Sequence, residues 1–233
     1  YTELTQPWGN LALSTVLGGE PELATATATK LMEKTLEANV KQNDFYARGF
    51  LKTVMAQSTA TQDPKLLLQT LNRVATASDN AALKEVAIQG LLEGLKKYKR
   101  PDTSDAEYFP ALSEALAAFE SEQDLTLTLA AWELGQYLHA PVSPNQEALL
   151  AKAQQVSLDT ERPLPERLAN LTLLQFAPLV QRVDALFTLL DSRGPRELQQ
   201  GAAHQISTAG RLPERTHFLE GRCTSMTRPV RGV

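Results

Sequence analysis

The feature that most constrains the fold of this chain is a short sequence pattern at predicted helix starts, which we call the recurring opening. Six segments begin with a capping residue or a proline and continue to an Arg, Lys, Thr or Gln, with small residues often following. The residues just before that polar side chain are Ala47, Leu83, Leu127, Glu166, Leu198 and Val230, separated by 36, 44, 39, 32 and 32 positions. Periods of this length, with two helices in each, indicate an α-solenoid.

Composition supports an all-helical fold. The chain has 38 Leu and 30 Ala but only 11 Val and 2 Ile among 233 residues. Leu and Ala favour helices, whereas the buried strands of sheets are rich in Val and Ile. The class predicted is therefore all-α, and a sandwich, a barrel or a parallel sheet is excluded.

Apolar periodicity and turn residues predict the individual helices. Residues 1–20 read as an irregular lead-in, and residues 21–233 as one HEAT-like α-solenoid, a right-handed superhelix of about five antiparallel helix pairs. We expect the last repeat to be truncated, because the segment at 227–233 opens a helix and stops. The missing initiator Met likewise suggests a processed or excised piece. Helices are predicted at about 21–40, after a cap at 43–44 through Met55, from 63–64 through Val74, and from a cap at 78–80 to the basic run at 96–100. Further helices are predicted at about 110–121, 124–138, 144–156, 165–176, 179–190, 195–208 and 213–221. The alternative is a bundle of helices without repeats.

Two segments carry a family resemblance. DNAALKEVA at 79–87 and TRPVR at 227–231 resemble the D-P-x-V-R-x-x-A opening of HEAT-repeat inner helices. More specifically, 79–233, with LFTLLDSRGPRELQQGAA at 186–203, resembles the HEAT region of large exported dehydrogenase-like proteins of planctomycetes and verrucomicrobia. The resemblance implies a β-propeller before the array and a c-type haem domain after it. This chain contains neither a propeller nor a C-x-x-C-H motif, so no catalytic or haem-ligating residue is carried over.

The side chains with possible chemistry have simpler interpretations. His139 is expected to end a helix, where a positive charge complements the dipole. His204 and the Cys223–His217 pair are weak candidates, because nothing around them has zinc or nucleophile spacing. We predict no catalytic, cofactor-binding or metal-binding residue and no cofactor.

The charged and aromatic side chains also have structural interpretations. The carboxylates of Glu114, Glu120 and Glu122 are read as solvated helix faces. The basic run at 96–100 is read as the end of a helix, with a phosphate patch as the alternative. Trp132 is expected in the core, with Tyr137 either there or facing a groove.

The function predicted from these observations is a non-catalytic scaffold or protein-interaction segment of a larger exported redox protein. Its partners would be a protein or neighbouring domains of the parent chain, and the resemblance implies a periplasmic or envelope location. A stand-alone peptide-binding HEAT module is the first alternative, and a HEAT-like DNA-binding or DNA-repair enzyme is the second. The net charge of −4 argues against nucleic acid, and no apolar run is long enough to span a membrane.

Overall fold

Helices account for the secondary structure of the described part of the chain. The computed structural model describes Lys30 and residues 45–76, 79–98, 101, 107–190 and 193–208. In these ranges it contains nine α-helices and no strand, so the all-α prediction is confirmed. They are α1 (Phe45–Ser58), α2 (Pro64–Thr76), α3 (Ala81–Tyr98), α4 (Tyr108–Ala117), α5 (Leu125–Leu138), α6 (Pro144–Leu158), α7 (Leu164–Leu173), α8 (Leu179–Leu189) and α9 (Arg196–Thr208).

The capping residues explain where three helices begin. An oxygen of Asp63, Asn80 or Asp124 accepts a hydrogen bond from a backbone N–H two or three residues later, at 2.9, 3.1 and 3.0 Å respectively. These bonds satisfy N–H groups that the first turn of a helix leaves without a partner. The predicted starts of α2, α3 and α5 are thus explained by local cap chemistry.

Two of the predicted helices have wrong boundaries. The helix expected at 110–121 begins at Tyr108 and ends at Ala117, because Pro110 is tolerated in a first turn and Glu120 takes part in a turn. The helix expected at 165–176 ends at Leu173 and continues as a 3₁₀ turn, Leu174–Phe176. The predicted lead-in at 1–20, the helix at 213–221 and the truncated last repeat lie outside the described residues, as does the helix at 21–40 apart from Lys30.

The chain divides into two compact units, Tyr1–Asn145 and Gln146–Val233. In the first unit α1 packs against α3 and α3 against α5, while α2 packs against α4. Antiparallel neighbours also touch, α2 with α3 and α4 with α5. The helices that carry the first three recurring openings therefore contact one another in series. The single array predicted over 21–233 stays a prediction.

Hydrogen bonds show that α3 and α5 run parallel at a constant offset. Near their starts Thr126 donates to Glu85, 41 residues earlier, and near their ends Tyr137 donates to the carbonyl of Leu95, 42 residues earlier. Between α1 and α3 the hydroxyl of Tyr98 donates to Gln57, again 41 residues away. One translation of about 41 residues along the sequence thus relates α1 to α3 and α3 to α5.

Two glycines let α1 and α3 approach closely. A Cβ atom at Gly90 would lie 2.6 Å from the carbonyl oxygen of Lys52, and one at Gly94 would lie 2.2 Å from that of Ala56. Any side chain at either position would overlap backbone atoms of α1. The two helices are therefore in direct backbone contact.

The second unit packs α9 against both α7 and α8. Its described apolar core is accompanied by five buried polar residues, each less than one-tenth exposed: Ser157, Arg167, Asn170, Arg182 and Gln205. Gln205 on α9 donates to the carbonyl of Leu171 on α7 at 2.5 Å. Helices two apart in the sequence thus contact each other in this unit as well.

Candidate functional site

The polar residue of the recurring opening has a structural task. In α3, α5, α7 and α9 it is the fourth residue of the helix, and it donates a hydrogen bond to a backbone carbonyl just before that helix. The bonds are Lys84 Nζ to Ala75 O (2.7 Å), Thr128 Oγ1 to Ser121 O (2.9 Å), Arg167 Nε to Ser157 O (3.1 Å) and Gln199 Nε2 to Gly194 O (3.2 Å). Lys84 and Arg167 thus reach the ends of α2 and α6, whereas Thr128 and Gln199 bond the connection directly before their own helix. The repeated polar residue therefore serves packing at these four helix starts.

Arg182 is a further member of this set that the sequence reasoning missed. It is the fourth residue of α8, and its Nη1 donates to Leu174 O and to Gln205 Oε1, both at 2.9 Å. Its Nε is buried and has no hydrogen-bond partner among the described residues. Desolvation by burial lowers the pKa of Arg182. The guanidinium faces carbonyls at the end of α7, where a helix carries partial negative charge, which compensates for part of its burial.

A polar surface runs along α3 and α5 and is the candidate interaction surface. We call Glu85, Gln89, Glu93, Lys96, Thr126 and Glu133 the polar face; all are exposed or half-buried. Glu93 is bridged to Lys52 of α1 at 2.6 Å, and Glu85 accepts bonds from Gln89 at 2.8 Å and from Thr126 at 3.3 Å. The face thus mixes both charge signs and crosses from helix to helix.

The two described histidines are both exposed. His139 ends α5 with φ of 58°, and its N–H donates to carbonyls of the last turn, which confirms its predicted place at a helix C-terminus. This left-handed conformation is uncommon outside glycine but more frequent in Asn, Asp and His. His204 lies on α9. Cys223 and His217 lie outside the described residues.

Trp132 and Tyr137 occupy different environments. Trp132 is 4% exposed, as the core prediction requires, and its Nε1 donates to Glu120 at 3.0 Å. Tyr137 is half-buried against the core, and its hydroxyl reaches α3 at Leu95 O, 3.1 Å away. Neither ring is presented to a groove as a binding aromatic.

One of the three acidic residues, Glu114, matches the expectation of a solvated helix face, since it is exposed on α4. Glu122 is exposed but lies in the connection between α4 and α5, so the expected helix face is wrong for it. Glu120 lies in the turn after α4, where two buried donors bind its carboxylate. The expectation of a solvated helix face is therefore wrong for Glu120. Lys96 and Lys97 lie in the last turn of α3, as predicted.

A cavity of about 10 Å³ lies beside the turn between α1 and α2. Ser58, Thr59 and Thr70 are among the residues that line it, and its volume holds about one water molecule. In the described ranges no three His, Cys, Asp or Glu side chains group as metal ligands. None of the described helices is both long and apolar enough to cross a membrane. Searches with this chain against protein-family models, curated proteins and solved structures find no match.

Proposed function

We propose that this chain is a HEAT-like α-solenoid, a right-handed superhelix of antiparallel helix pairs, that acts as a non-catalytic protein scaffold. One observation carries the proposal. Helices α1, α3 and α5 stack in parallel at an offset of 41–42 residues, while α2 packs against α4. Two rows of helices related by a constant sequence offset are the arrangement that stacked helix pairs produce.

Small-angle X-ray scattering tests the architecture. A compact bundle of 233 residues has a radius of gyration of about 17–18 Å. A solenoid formed by the whole chain gives a clearly larger value and an elongated distance distribution. A monomer that scatters with the compact value would refute the solenoid.

We propose the polar face as the surface that contacts a protein partner. Glu85 with Thr126, and Glu93 with Lys52, already link neighbouring helices, so these side chains are held in place before a partner arrives, which lowers the ordering cost of binding. Both charge signs are present, which suits a partner with a mixed polar surface more than a polyanion. The partner would be a neighbouring domain of the parent protein.

A pair of charge reversals tests this surface. Lys96→Glu with Glu133→Lys inverts two exposed side chains of the polar face and leaves the net charge unchanged. Lys65→Glu with Glu114→Lys does the same on α2 and α4 and is the matched control. Calorimetric titration with the purified flanking domains should show affinity reduced about tenfold or more for the first pair only. Equal binding by both double variants would eliminate the polar face as the contact.

The coding sequence around the segment tests the wider proposal of an exported redox parent. We expect a β-propeller encoded upstream and a C-x-x-C-H motif downstream. A reading frame that starts just before Tyr1 and stops after Val233 would instead support the stand-alone binding module.

A further inference from the structure

The connector between α5 and α6, residues 139–143, is held mainly by polar bonds. His139 reverses the chain, and the N–H of Ala140 donates to Gly135 O at 2.9 Å. Ser113 on α4 donates to the carbonyl of Pro141 at 3.2 Å. Val142 is 59% exposed, whereas Ala140 is half-buried and packs against the core. Hydrogen bonds and one small apolar contact therefore keep the connector in place.

The far end of the connector is fastened to Glu120. The hydroxyl of Ser143 lies 2.8 Å from each carboxylate oxygen, and Trp132 Nε1 donates to Oε1 at 3.0 Å. Ser143 is 5% exposed and Trp132 is 4% exposed. Loss of the carboxylate would remove the hydrogen bonds that both donors make to a charged group, and such bonds contribute more to stability than bonds between neutral groups.

We infer that Glu120 is a latch that holds the connector closed and that the connector opens as a local unit when the latch is broken. The three elements that meet at Glu120 are the turn after α4, helix α5 and the connector. The apolar core of this unit is formed by other residues, and among the connector residues Ala140 packs against it, so opening the connector uncovers only a small part of the core. The connector can thus open and close while the helices stay folded.

Hydrogen exchange measured by mass spectrometry on the full chain tests the latch. Glu120→Ala and Ser143→Ala should raise exchange in a peptide covering 139–150 by about 10- to 100-fold, as loss of a bond to a charged group predicts. Exchange in peptides from α3 should not change. Glu114→Ala removes an exposed carboxylate of α4 and is the matched control.

A conservative variant separates the bond geometry from the charge. In Glu120→Gln the amide oxygen can accept from Trp132 and the amide N–H can donate to Ser143, so this variant should exchange more slowly than Glu120→Ala. The latch is refuted if the connector peptide exchanges in the alanine variants as in the Glu114→Ala control. It is also refuted if exchange rises equally along all helices, or if Glu120→Gln protects no better than Glu120→Ala.

Discussion

Replacing Gly94 by alanine tests the close contact between α1 and α3. A Cβ atom there would lie 2.2 Å from Ala56 O, 2.3 Å from Thr59 Oγ1 and 2.7 Å from Ala56 Cα. Ordinary contacts of these kinds are about 3.4 Å or longer, so α1 has to move away by about 1 Å. Because two of the three atoms are backbone, no change of side-chain rotamer can relieve the overlap.

The expected cost follows from two opposing effects. Alanine in place of glycine favours a helix interior by about 1 kcal/mol. Overpacking of a well-packed contact costs about 1–3 kcal/mol, and an overlap with rigid backbone lies at or above the upper end. We therefore expect Gly94→Ala to lower the free energy of unfolding by about 2 kcal/mol or more.

Two other glycines supply matched controls. At Gly49 an added Cβ meets nothing within 4 Å, so Gly49→Ala should stabilise by up to about 1 kcal/mol. At Gly135 the nearest atom is a flexible Leu116 methyl at 3.1 Å, so Gly135→Ala should be nearly neutral. Urea unfolding followed by circular dichroism and by Trp132 fluorescence in a Trp8→Phe background gives the ranking. A Gly94→Ala protein as stable as Gly49→Ala would show that α1 and α3 do not meet as described.

Three further predictions concern buried and capping groups, all read from urea unfolding. Arg167→Ala should lower the free energy of unfolding by about 2–4 kcal/mol, because Ser157 O loses its donor and a cavity remains. The Arg162 side chain is 54% exposed, so Arg162→Ala should lower it by less than about 0.5 kcal/mol. Asp124→Ala removes the cap of α5 and should cost about 1 kcal/mol. Burial raises the pKa of Tyr108 from 10.0 to about 12, so its stabilising effect is complete below pH 10 and is lost as pH rises to about 12. Tyr108→Phe should therefore lose less stability than wild type between pH of about 9 and about 11.5, and equal losses would contradict the burial of this hydroxyl.

Helix starts could be predicted from the sequence because cap chemistry is local. Asp63, Asn80 and Asp124 each accept a hydrogen bond from a backbone N–H within three residues, so the capping residue and its donor lie in one short stretch. The end of α4 could not be predicted in this way. Glu120 is held in the turn by hydrogen bonds from Trp132 and Ser143, which lie 12 and 23 residues away. No local sequence pattern predicts such distant partners.

The recurring opening could be recognised in the sequence, but the hydrogen bonds that its polar residues make could not be predicted. Arg167 follows Pro163 by four positions, and Arg182 follows Pro178 by four, so the same spacing could have identified Arg182. The acceptors are backbone carbonyls, which every residue has, so the sequence cannot say which one receives the bond. Similarly, Gly90 and Gly94 share a helix face by their spacing, but only the packed structure shows that α1 lies against them.

The donors at the fourth helix position have a consequence for the order in which the chain assembles. Lys84, Arg167 and Arg182 reach carbonyls only 9, 10 and 8 residues back, so closing these contacts restricts short stretches of chain. The stack of α1, α3 and α5 needs contacts across about 41 residues. Consecutive helices should therefore join first, within the rapid regime of local contacts, and the stack should grow by adding preformed pairs.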